Sequence, residues 1–386
     1  MTVIWQPTLP ADAKRWQSLA DDLGRSHCAP LAAELDRDQR YPWETIAKLV
    51  EHKFTGLFLP KQWGGEGASL TATVAAVETL GAHCASTAAI MCAYQLGAFP
   101  LLLAGTDTQK DFYLREMAQG RATSFALSER IAGSDAAAIE ATAVREGDGW
   151  RLKGEKYWIG NGGASRYYVA FAKTDPAVGG RGITAFMVDK EQPGAVIDEL
   201  NDKMGIRGTQ TSNLKLDVLV PDSARVGDVN RALRLALQSL KVGRIMVSAQ
   251  CLGLALACYR EASLRAVQRK TFGTPIIDNQ GIGFMLADMA TEISAARMML
   301  YQAAAAYDRG EDVSNLGAMA KLFTSEVSHR AADNAVQIWG GLGYCKPTVV
   351  ERLYRDQRIL EIYEGASEIQ RLVLARAVRK EAEQRA

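Results

Sequence analysis

Near the C-terminal end of the sequence, residues 362–371 read IYEGASEIQR, and one carboxylate stands directly before a predicted helix. Ser367 and Gln370 have the spacing of a capping box, and apolar residues follow with helical period, so a helix is predicted to begin here. Glu364 precedes that helix. It is therefore either an exposed loop charge or a base directed at a substrate. Gly365 after it lets the backbone pass close to a ligand.

Two opposing effects act on the proton affinity of Glu364. A helix N-terminus stabilises negative charge and lowers a carboxylate pKa by up to about one unit. A useful base needs a pKa near the working pH, and burial raises a carboxylate pKa by up to about 3–5 units. We expect burial to dominate once substrate excludes water. Glu368 is the competing acid, but in the first helical turn it simply suits the dipole.

Composition and charge bound the possible functions of the 386-residue chain. It is long enough for two or three domains, with 48% hydrophobic and 23% charged residues. The net charge of +1 gives no argument for nucleic acid or an anionic membrane as partner. We identify no apolar run long enough to span a bilayer, and no signal peptide. Six scattered cysteines indicate reduced thiols in a cytoplasmic protein, and four scattered histidines predict no metal site.

The hydrophobic pattern changes twice along the chain. Residues 1–122 are predicted to be helical, and residues 123–229 contain short alternating strands, including a hairpin around a Gly-Asp-Gly turn. Residues 230–386 return to helical period, with one long helix after residue 230 and helices near 279–308, 313–338 and 368–384. The predicted fold is mainly α, with an N-terminal helical domain, an antiparallel sandwich-like or barrel-like β domain and a C-terminal four-helix bundle.

Common nucleotide and hydrolase motifs are absent from the sequence. No G-x-G-x-x-G follows a strand, and neither a P-loop nor a G-x-S-x-G motif occurs. A nucleotide cofactor would therefore have to be held in another way.

Three separated blocks combine into one recognisable pattern. Residues 125–135 read FALSERIAGSD and lead to EKYWIGNG at 155–162, and residues 269–289 read RKTFGTPIIDNQGIGFMLADM. VQIWGGLGY at 336–344 is followed by YRDQRILEIYEGASEIQR at 354–371. In this order and spacing the blocks resemble the acyl-CoA dehydrogenase family of flavoproteins over nearly the whole chain.

The resemblance implies an FAD site between the β domain and the bundle. It also implies a homotetramer, or a homodimer, in which a neighbouring subunit completes each site, and electron-transfer flavoprotein as the acceptor. By position, it assigns cofactor contacts to Phe125, Leu127, Ser128, Gly133, Ser134, Trp158, Ile159 and Gly160, to Arg269, Phe272 and Gln280 from a partner subunit, to Gln337, Ile338, Trp339, Gly340 and Gly341 around the adenosine end, and to Ala366, Ser367 and Glu368.

The residue types agree with such a site. Arginine is the best planar donor for two phosphates, small residues such as Gly340 and Gly341 admit a ligand close to the backbone, and Trp158 can cover a flavin ring. Each has an ordinary alternative when taken alone. Trp158 would be strand core, Arg269 a solvated helix charge, and the glycine pair a helix C-cap. Only their combination favours the cofactor.

In this family a glutamate removes the α proton of an acyl thioester, and a hydride passes from the β carbon to flavin N5. The resemblance places Glu364 at the position of that glutamate. The backbone N–H of Glu364 and a ribityl hydroxyl form an oxyanion hole, in which one donor is typically worth about 3 kcal/mol. The resemblance also assigns substrate contacts to Ser134, Arg244, Gly365, Tyr94 and Gln95. A structural ion pair is the alternative for Arg244. Arg355 and Asp356 are expected to form a polar network that positions the loop before Glu364.

The chain departs from the family pattern at several points. Arg130-Ile131 replaces a frequent Pro-Gly pair, and Gly160 replaces a threonine whose hydroxyl typically bonds the flavin near N5. Tyr94 and Gln95 favour a short or polar acyl group, with ordinary helix packing as the alternative. These departures leave three other functions open: a dehydrogenase of a thioester on an acyl-carrier protein, a flavin oxidase or monooxygenase on the same scaffold, and a flavin-free scaffold that binds a partner protein.

Overall fold

The computed structural model describes residues 3–386, and its elements follow the predicted order of helices, strands and helices. The division predicted after residue 122 falls between the helix that ends at Ala118 and the first strand, which begins at Thr123. The division predicted after residue 229 falls between the last strand of the β domain, which ends at Val226, and the long helix that begins at Ala232. The N-terminal helices are α1 (Ala11–Leu23), α2 (Ala32–Asp38), α3 (Trp43–Glu51), α4 (Leu70–His83), α5 (Ala85–Ala104), α6 (Asp107–Gln109) and α7 (Arg115–Ala118).

Helices α4 and α5 form the buried centre of the N-terminal part. Ser69 caps α4 by accepting a hydrogen bond from the Ala72 N–H at 3.1 Å. Both helices are rich in small apolar residues and are buried on nearly all sides, which indicates packing against further helices rather than one solvated face.

The strands form one eight-stranded sheet in the order β6-β7-β3-β2-β4-β5-β8, with β1 beside β4. The predicted hairpin is confirmed, since Glu146 of β2 pairs with Gly149 of β3 across a two-residue turn. The strands are β1 (Thr123–Ala126), β2 (Thr142–Glu146), β3 (Gly149–Ile159), β4 (Tyr167–Lys173), β5 (Ile183–Asp189), β6 (Ala195–Leu200), β7 (Ser212–Pro221) and β8 (Arg225–Val226).

The predicted antiparallel β domain also contains two parallel pairings. Strand β1 runs parallel to β4, and Thr142 at the start of β2 makes a single parallel pairing with Lys173. The β2–β3 hairpin and its flanking loops separate β1 from β4, and a connection of that length can return the chain in the same direction.

The C-terminal part confirms the predicted helices. The long helix is a single 37-residue element of about 55 Å. It packs against α4 and α5 as well as its own bundle. The elements are α8 (Ala232–Gln268), β9 (Lys270–Thr271), β10 (Thr274–Pro275), α9 (Gln280–Asp308), α10 (Ser314–Trp339), α11 (Val349–Gln357) and α12 (Ser367–Arg385).

Two helices, α5 and α8, are long and apolar enough to cross a bilayer, so the expectation that no such run exists was too strict. Most of each apolar window is buried inside the protein, at 67% for α5 and 89% for α8. Burial on all sides explains their apolar character, because a helix enclosed by other helices needs no polar face.

Glycines allow α4 and α8 to touch. A Cβ atom on Gly253 of α8 would lie 2.8 Å from the Cα atom of Gly81 of α4, closer than such atoms can approach. The two backbones are therefore in direct contact, and this contact joins the N-terminal helices to the bundle.

Candidate active site

Glu364 lies in the short turn between residues 358–361 and α12. Its φ is +54°, and that of Gly365 is +87°, so two consecutive residues are left-handed. Glycine adopts this conformation freely, whereas a glutamate there is uncommon. The turn leaves the Glu364 residue partly exposed overall, but the carboxylate atom Oε2 is completely buried and has no hydrogen-bond partner among the described residues.

Three elements converge on that carboxylate. A Cβ atom on Gly243 of α8 would lie 2.6 Å from Glu364 Oε2 and 3.4 Å from the Cδ1 atom of Leu96 on α5. Any larger residue at position 243 would collide with the Glu364 carboxylate. The carboxylate therefore enters a narrow space between α5, α8 and its own turn.

Burial dominates the proton affinity of Glu364, as expected, and does so without a substrate. Loss of solvent raises the pKa of this carboxyl to about 7, while the positive charges of Lys321 and Arg244 oppose the rise. A base with this pKa is about half ionised at neutral pH, which suits proton abstraction.

Arg244 on α8 faces Glu364 without touching it. The residue is 8% exposed, its Nε atom has no hydrogen-bond partner, and it makes no ion pair within residues 3–386. The structural ion pair considered for Arg244 is thus not formed. Burial lowers the pKa of the guanidinium and Glu364 raises it, so an unpaired buried cation stands near the base.

The capping box predicted at Ser367 and Gln370 is wrong. Helix α12 begins with Ser367 as its first helical residue, and Ala366, which has no polar side chain, takes the capping position. Ser367 is buried with its hydroxyl 3.5 Å from the Glu361 carbonyl. The Gln370 side chain instead donates to the Gly365 carbonyl at 2.7 Å and to the Glu364 carbonyl at 3.2 Å.

Lys321 and Gln250 were missed by sequence reasoning. Lys321 on α10 is fully buried and donates from Nζ to the Gly365 carbonyl at 2.9 Å. The Tyr363 hydroxyl donates to the Gln250 side chain of α8. The available signal was a lysine between Ala320 and Leu322 on a predicted helix, because a charged residue among apolar neighbours is seldom buried without a reason.

The Arg355 and Asp356 network is present as expected. Arg355 binds both carboxylate oxygens of Asp36 at 2.7 Å and also pairs with Glu351. Asp356 is buried and accepts a hydrogen bond from the Ile206 N–H at 2.5 Å. These contacts join α2, a loop of the β domain and α11, just before the turn that carries Glu364.

The residues assigned to the flavin ring lie in β1, in the loop that follows it and at the end of β3. Trp158 is 55% exposed and has a φ of +58°, at a register shift between Lys156 and Ile159 in β3. Trp158 is therefore not strand core, because the irregularity turns its side chain outward. Phe125 stacks on Phe171, Leu127 and Ile159 are buried, Ser128 is half-buried, and Gly133, Ser134 and Gly160 are exposed.

A buried ion pair lies beneath the loop that carries Ser128. Lys156 is fully buried and donates from Nζ to Glu129 at 2.7 Å and to the Leu127 carbonyl at 3.2 Å. Glu129 also accepts the backbone N–H groups of Glu140 and Ala141. Burial lowers the pKa of Lys156 to about 8. This pair fixes the loop against β3, and neither residue was predicted to do so.

The remaining assigned residues lie around the β9–β10 hairpin, at the end of α10 and at the start of α12. Arg269, Phe272 and Gln280 are exposed around the β9–β10 hairpin, and Phe272 has a φ of +51°. Gln337, Gly340 and Gly341 are exposed at the end of α10, whereas Ile338 is buried. Trp339 donates from Nε1 to the Glu261 carbonyl at 3.2 Å and serves the packing of the bundle. Ala366 is half-buried and Glu368 is exposed.

Tyr94 and Gln95 on α5 differ in how their polar groups are used. The buried Tyr94 hydroxyl donates to the Gly120 carbonyl at 2.6 Å, so it is occupied within the N-terminal helices. Gln95 is 4% exposed, and neither polar atom of its side chain has a partner among the described residues.

Comparison with known proteins identifies the class of enzyme. Models of the acyl-CoA dehydrogenase N-terminal, middle and C-terminal domains match residues 10–121, 124–219 and 230–379. A 3-(aryl)acrylate reductase from Clostridium sporogenes is 41% identical over 93% of this chain and 96% of its own length.

Two solved structures are closely similar. Butyryl-CoA dehydrogenase from Megasphaera elsdenii has a TM-score of 0.94 at 36% identity, covering 97% of this chain and 100% of that chain. A structure described as the electron transferring flavoprotein of Acidaminococcus fermentans has a TM-score of 0.95 at 36% identity, covering 97% and 99%. The fold and these similarities define a flavin-dependent oxidoreductase that acts on a CH–CH bond. The chain belongs to the acyl-CoA dehydrogenase family.

The ion pair between Lys156 and Glu129 generates a first prediction. The change Lys156→Met leaves a buried carboxylate unpaired and should cost about 3–5 kcal/mol of unfolding free energy. We expect a clearly lower urea midpoint of unfolding. Lys153→Met is the matched control, since the Lys153 side chain is 62% exposed on the same strand. Equal midpoints for the two variants would contradict a structural role for the buried pair.

Proposed function

We propose that this protein is an FAD-dependent dehydrogenase that removes hydrogen from the α and β carbons of an acyl thioester. The observation that carries the proposal is the buried, unpartnered Glu364 carboxylate between α5 and α8, whose pKa lies near 7. Because no residue of 3–386 neutralises this carboxylate by contact, it is available to accept a proton from bound substrate.

The residues of this chain divide the work. Glu364 takes the α proton, and its burial keeps competing water from the base. Its backbone N–H, with the left-handed turn at Gly365, is assigned to the thioester carbonyl by family resemblance. The unpaired Arg244 adds a positive charge near the developing enolate. FAD, when bound, supplies the acceptor for the β hydride.

The residues present fit FAD. Added Cβ atoms at Gly133, Gly340 and Gly341 would meet nothing within 4 Å, so a ligand can approach the backbone closely at these positions. Trp158 is exposed near the end of β3, where it can cover a flat ring. We assign the isoalloxazine to residues 125–134 and to the end of β3 at residues 158–160, and the adenosine end to residues 337–341.

Self-association would complete that site. Large exposed apolar side chains occur around the β9–β10 hairpin and the C-terminal helices, including Phe272, Phe284, Tyr344, Leu372 and Val378. We propose a homotetramer, or a homodimer, in which Arg269, Phe272 and Gln280 approach the FAD of a partner subunit. The exposure of all three in the single chain supports this assignment.

Similar proteins suggest which group carries the acyl chain and which protein accepts the electrons. We propose acyl-CoA as substrate and electron-transfer flavoprotein as electron acceptor, supported by the likeness to butyryl-CoA dehydrogenase and to the electron transferring flavoprotein structure. All six cysteines are free thiols, which supports a reducing cytoplasmic location.

The glycine at position 160 favours one rival function. A Cβ atom there would meet only Ala93, at 3.7 Å, so the space of a missing side chain stays open beside the proposed flavin. Access for oxygen at this point would suit an oxidase. Oxygen consumption in air, compared with reduction of an artificial acceptor under argon, separates the two activities. A thioester on an acyl-carrier protein is tested by supplying both carriers in the same assay.

The catalytic assignment predicts the behaviour of Glu364→Gln. We expect this variant to bind FAD with an unchanged flavin spectrum, while substrate bleaches the flavin about 100- to 10,000-fold more slowly, the usual contribution of a general base. Anaerobic stopped-flow absorbance measures both properties. Glu383→Gln is the matched control, because Glu383 is exposed near the far end of α12 and has no assigned contact with cofactor or substrate. Full bleaching by Glu364→Gln would reject Glu364 as the base, and a colourless wild-type protein would favour a flavin-free scaffold.

The unpartnered Gln95 predicts the character of the acyl tail. A buried amide without a partner costs about 1–3 kcal/mol, which a hydrogen-bonding group on the tail would recover. We expect Gln95→Leu to shift the ratio of kcat/KM values about 10-fold in favour of a purely apolar acyl-CoA over one with a terminal hydroxyl. Tyr94→Phe is the control, since the Tyr94 hydroxyl is already bound. An unchanged ratio would place Gln95 outside the tail pocket.

A further inference from the structure

Lys321 is a buried cation with an unusual environment. Its side chain is fully enclosed in the middle of α10, and it makes no ion pair with any carboxylate of residues 3–386. Burial lowers its pKa, and the negative charges of Glu364 and Glu361 partly offset this effect. Burying an ammonium group without a contacting counter-ion is costly, so position 321 gains nothing in stability from the charge itself.

Within residues 3–386, the Lys321 side chain makes a single hydrogen bond, to the turn that carries Glu364. Its Nζ atom donates to the Gly365 carbonyl at 2.9 Å, and Gln370 donates to the same oxygen at 2.7 Å. Gln370 also donates to the Glu364 carbonyl. The left-handed conformation of Glu364 costs of order 1–3 kcal/mol and persists only where surrounding contacts over-determine it. Lys321 and Gln370 supply those contacts.

Of the two positive charges that lower the pKa of Glu364, that of Lys321 has the larger effect. Burial raises the pKa of the carboxyl, Lys321 lowers it most, and Arg244 of α8 lowers it less. From α5 the buried thiol of Cys92 faces the same region, and its burial raises its pKa, so it stays neutral. Tyr363 is bound to Gln250 and is likewise neutral, because burial raises its pKa. Glu361 lies near Lys321 and is paired with Arg358 and His329.

We propose that Lys321 is a positioning residue for the base: its ammonium group fixes the turn at Gly365 and holds the Glu364 carboxylate in its ionised form. Two contributions follow from one side chain. The hydrogen bond sets where the carboxylate points, and the charge sets how much of it is ready to accept a proton near neutral pH. The inference rests on the proposed role of Glu364 as base.

The charge contribution has a definite sign. Only ionised Glu364 can take a proton, so the rate of flavin bleaching should rise with pH through a midpoint near the pKa of about 7. Removing the Lys321 charge raises that pKa further. The midpoint should therefore move to higher pH, by about one unit for the loss of a nearby cation, and the rate at pH 6 should fall about 10-fold.

The experiment compares two variants that separate charge from hydrogen bond. Lys321→Gln keeps a donor without the charge, and Lys321→Met removes both. We expect both to shift the bleaching midpoint upward, and Lys321→Met to lose rate also at pH 9, where the Glu364 of wild type is fully ionised. Lys241→Met is the control, because Lys241 is an exposed lysine of α8 beside Asp312, and its midpoint should not move.

A second readout needs no turnover. Infrared difference spectroscopy of the flavin-loaded protein, titrated without substrate, gives the midpoint of the carboxylic C=O band that disappears in Glu364→Gln. An upward shift of this midpoint in both Lys321 variants supports the proposal for Lys321. Failure of every tested thioester to bleach the flavin would instead reject the proposed function, and the two results are independent. Midpoints equal to wild type in both measurements, with unchanged flavin binding and circular dichroism, would overturn the proposal for Lys321.

Discussion

A single carboxylate buried without a partner is the constraint on which the site depends. Placing Glu364 in a narrow space between helices raises its proton affinity, and two cations that do not touch it, Lys321 and Arg244, limit the rise. Direct ion pairs would have produced a strongly ionised and weakly basic group. In this protein the two positive charges act on Glu364 from nearby without forming an ion pair with it. The carboxylate is left free to bind a proton, while its ionisation is still supported from two helices.

This arrangement requires helices that approach closely and stay in place. Gly81 and Gly253 bring the backbones of α4 and α8 together, and Gly243 leaves the space that the carboxylate of Glu364 enters. The polar network of Arg355 then connects α11 to Asp36 on α2. Because these contacts cross between the first helices, the sheet and the bundle, the position of the base depends on all three parts of the chain.

Periodicity predicted the helices well because most of them are long. Helix α9 was expected near 279–308 and spans Gln280–Asp308, and the single long helix after residue 230 was also confirmed. The capping box failed because two patterns overlap at residues 364–370. Gln370 has the right type and spacing for a cap, yet its amide is needed by the carbonyls of the strained turn. Local spacing cannot tell which of two nearby acceptors a side chain will choose.

The contacts of the two buried lysines could not be predicted from the sequence, because they join residues that are far apart along the chain. Lys321 acts through a residue 44 positions away, and Lys156 through one 27 positions away, so no local pattern announces either contact. The parallel pairing of β1 with β4 is likewise a matter of tertiary topology. Residue type alone still carried a hint, since a buried lysine requires compensation. The hint identifies the position as unusual, but only the fold identifies the group that it serves.

Backbone conformation gives an independent indication of which positions are functional. Eight non-glycine residues within 3–386 have positive φ, and three of them, Trp158, Phe272 and Glu364, are positions that family resemblance assigns to cofactor or catalysis. Bulky side chains seldom adopt this conformation, and strain of this kind clusters where geometry matters more than local stability. A fourth, the β-branched Ile206, is fixed by Asp356 in the network before the Glu364 turn. Three of the eight strained positions thus lie at the end of β3, in the β9–β10 hairpin and in the turn that carries Glu364, which are the places that we propose for the cofactor and the base.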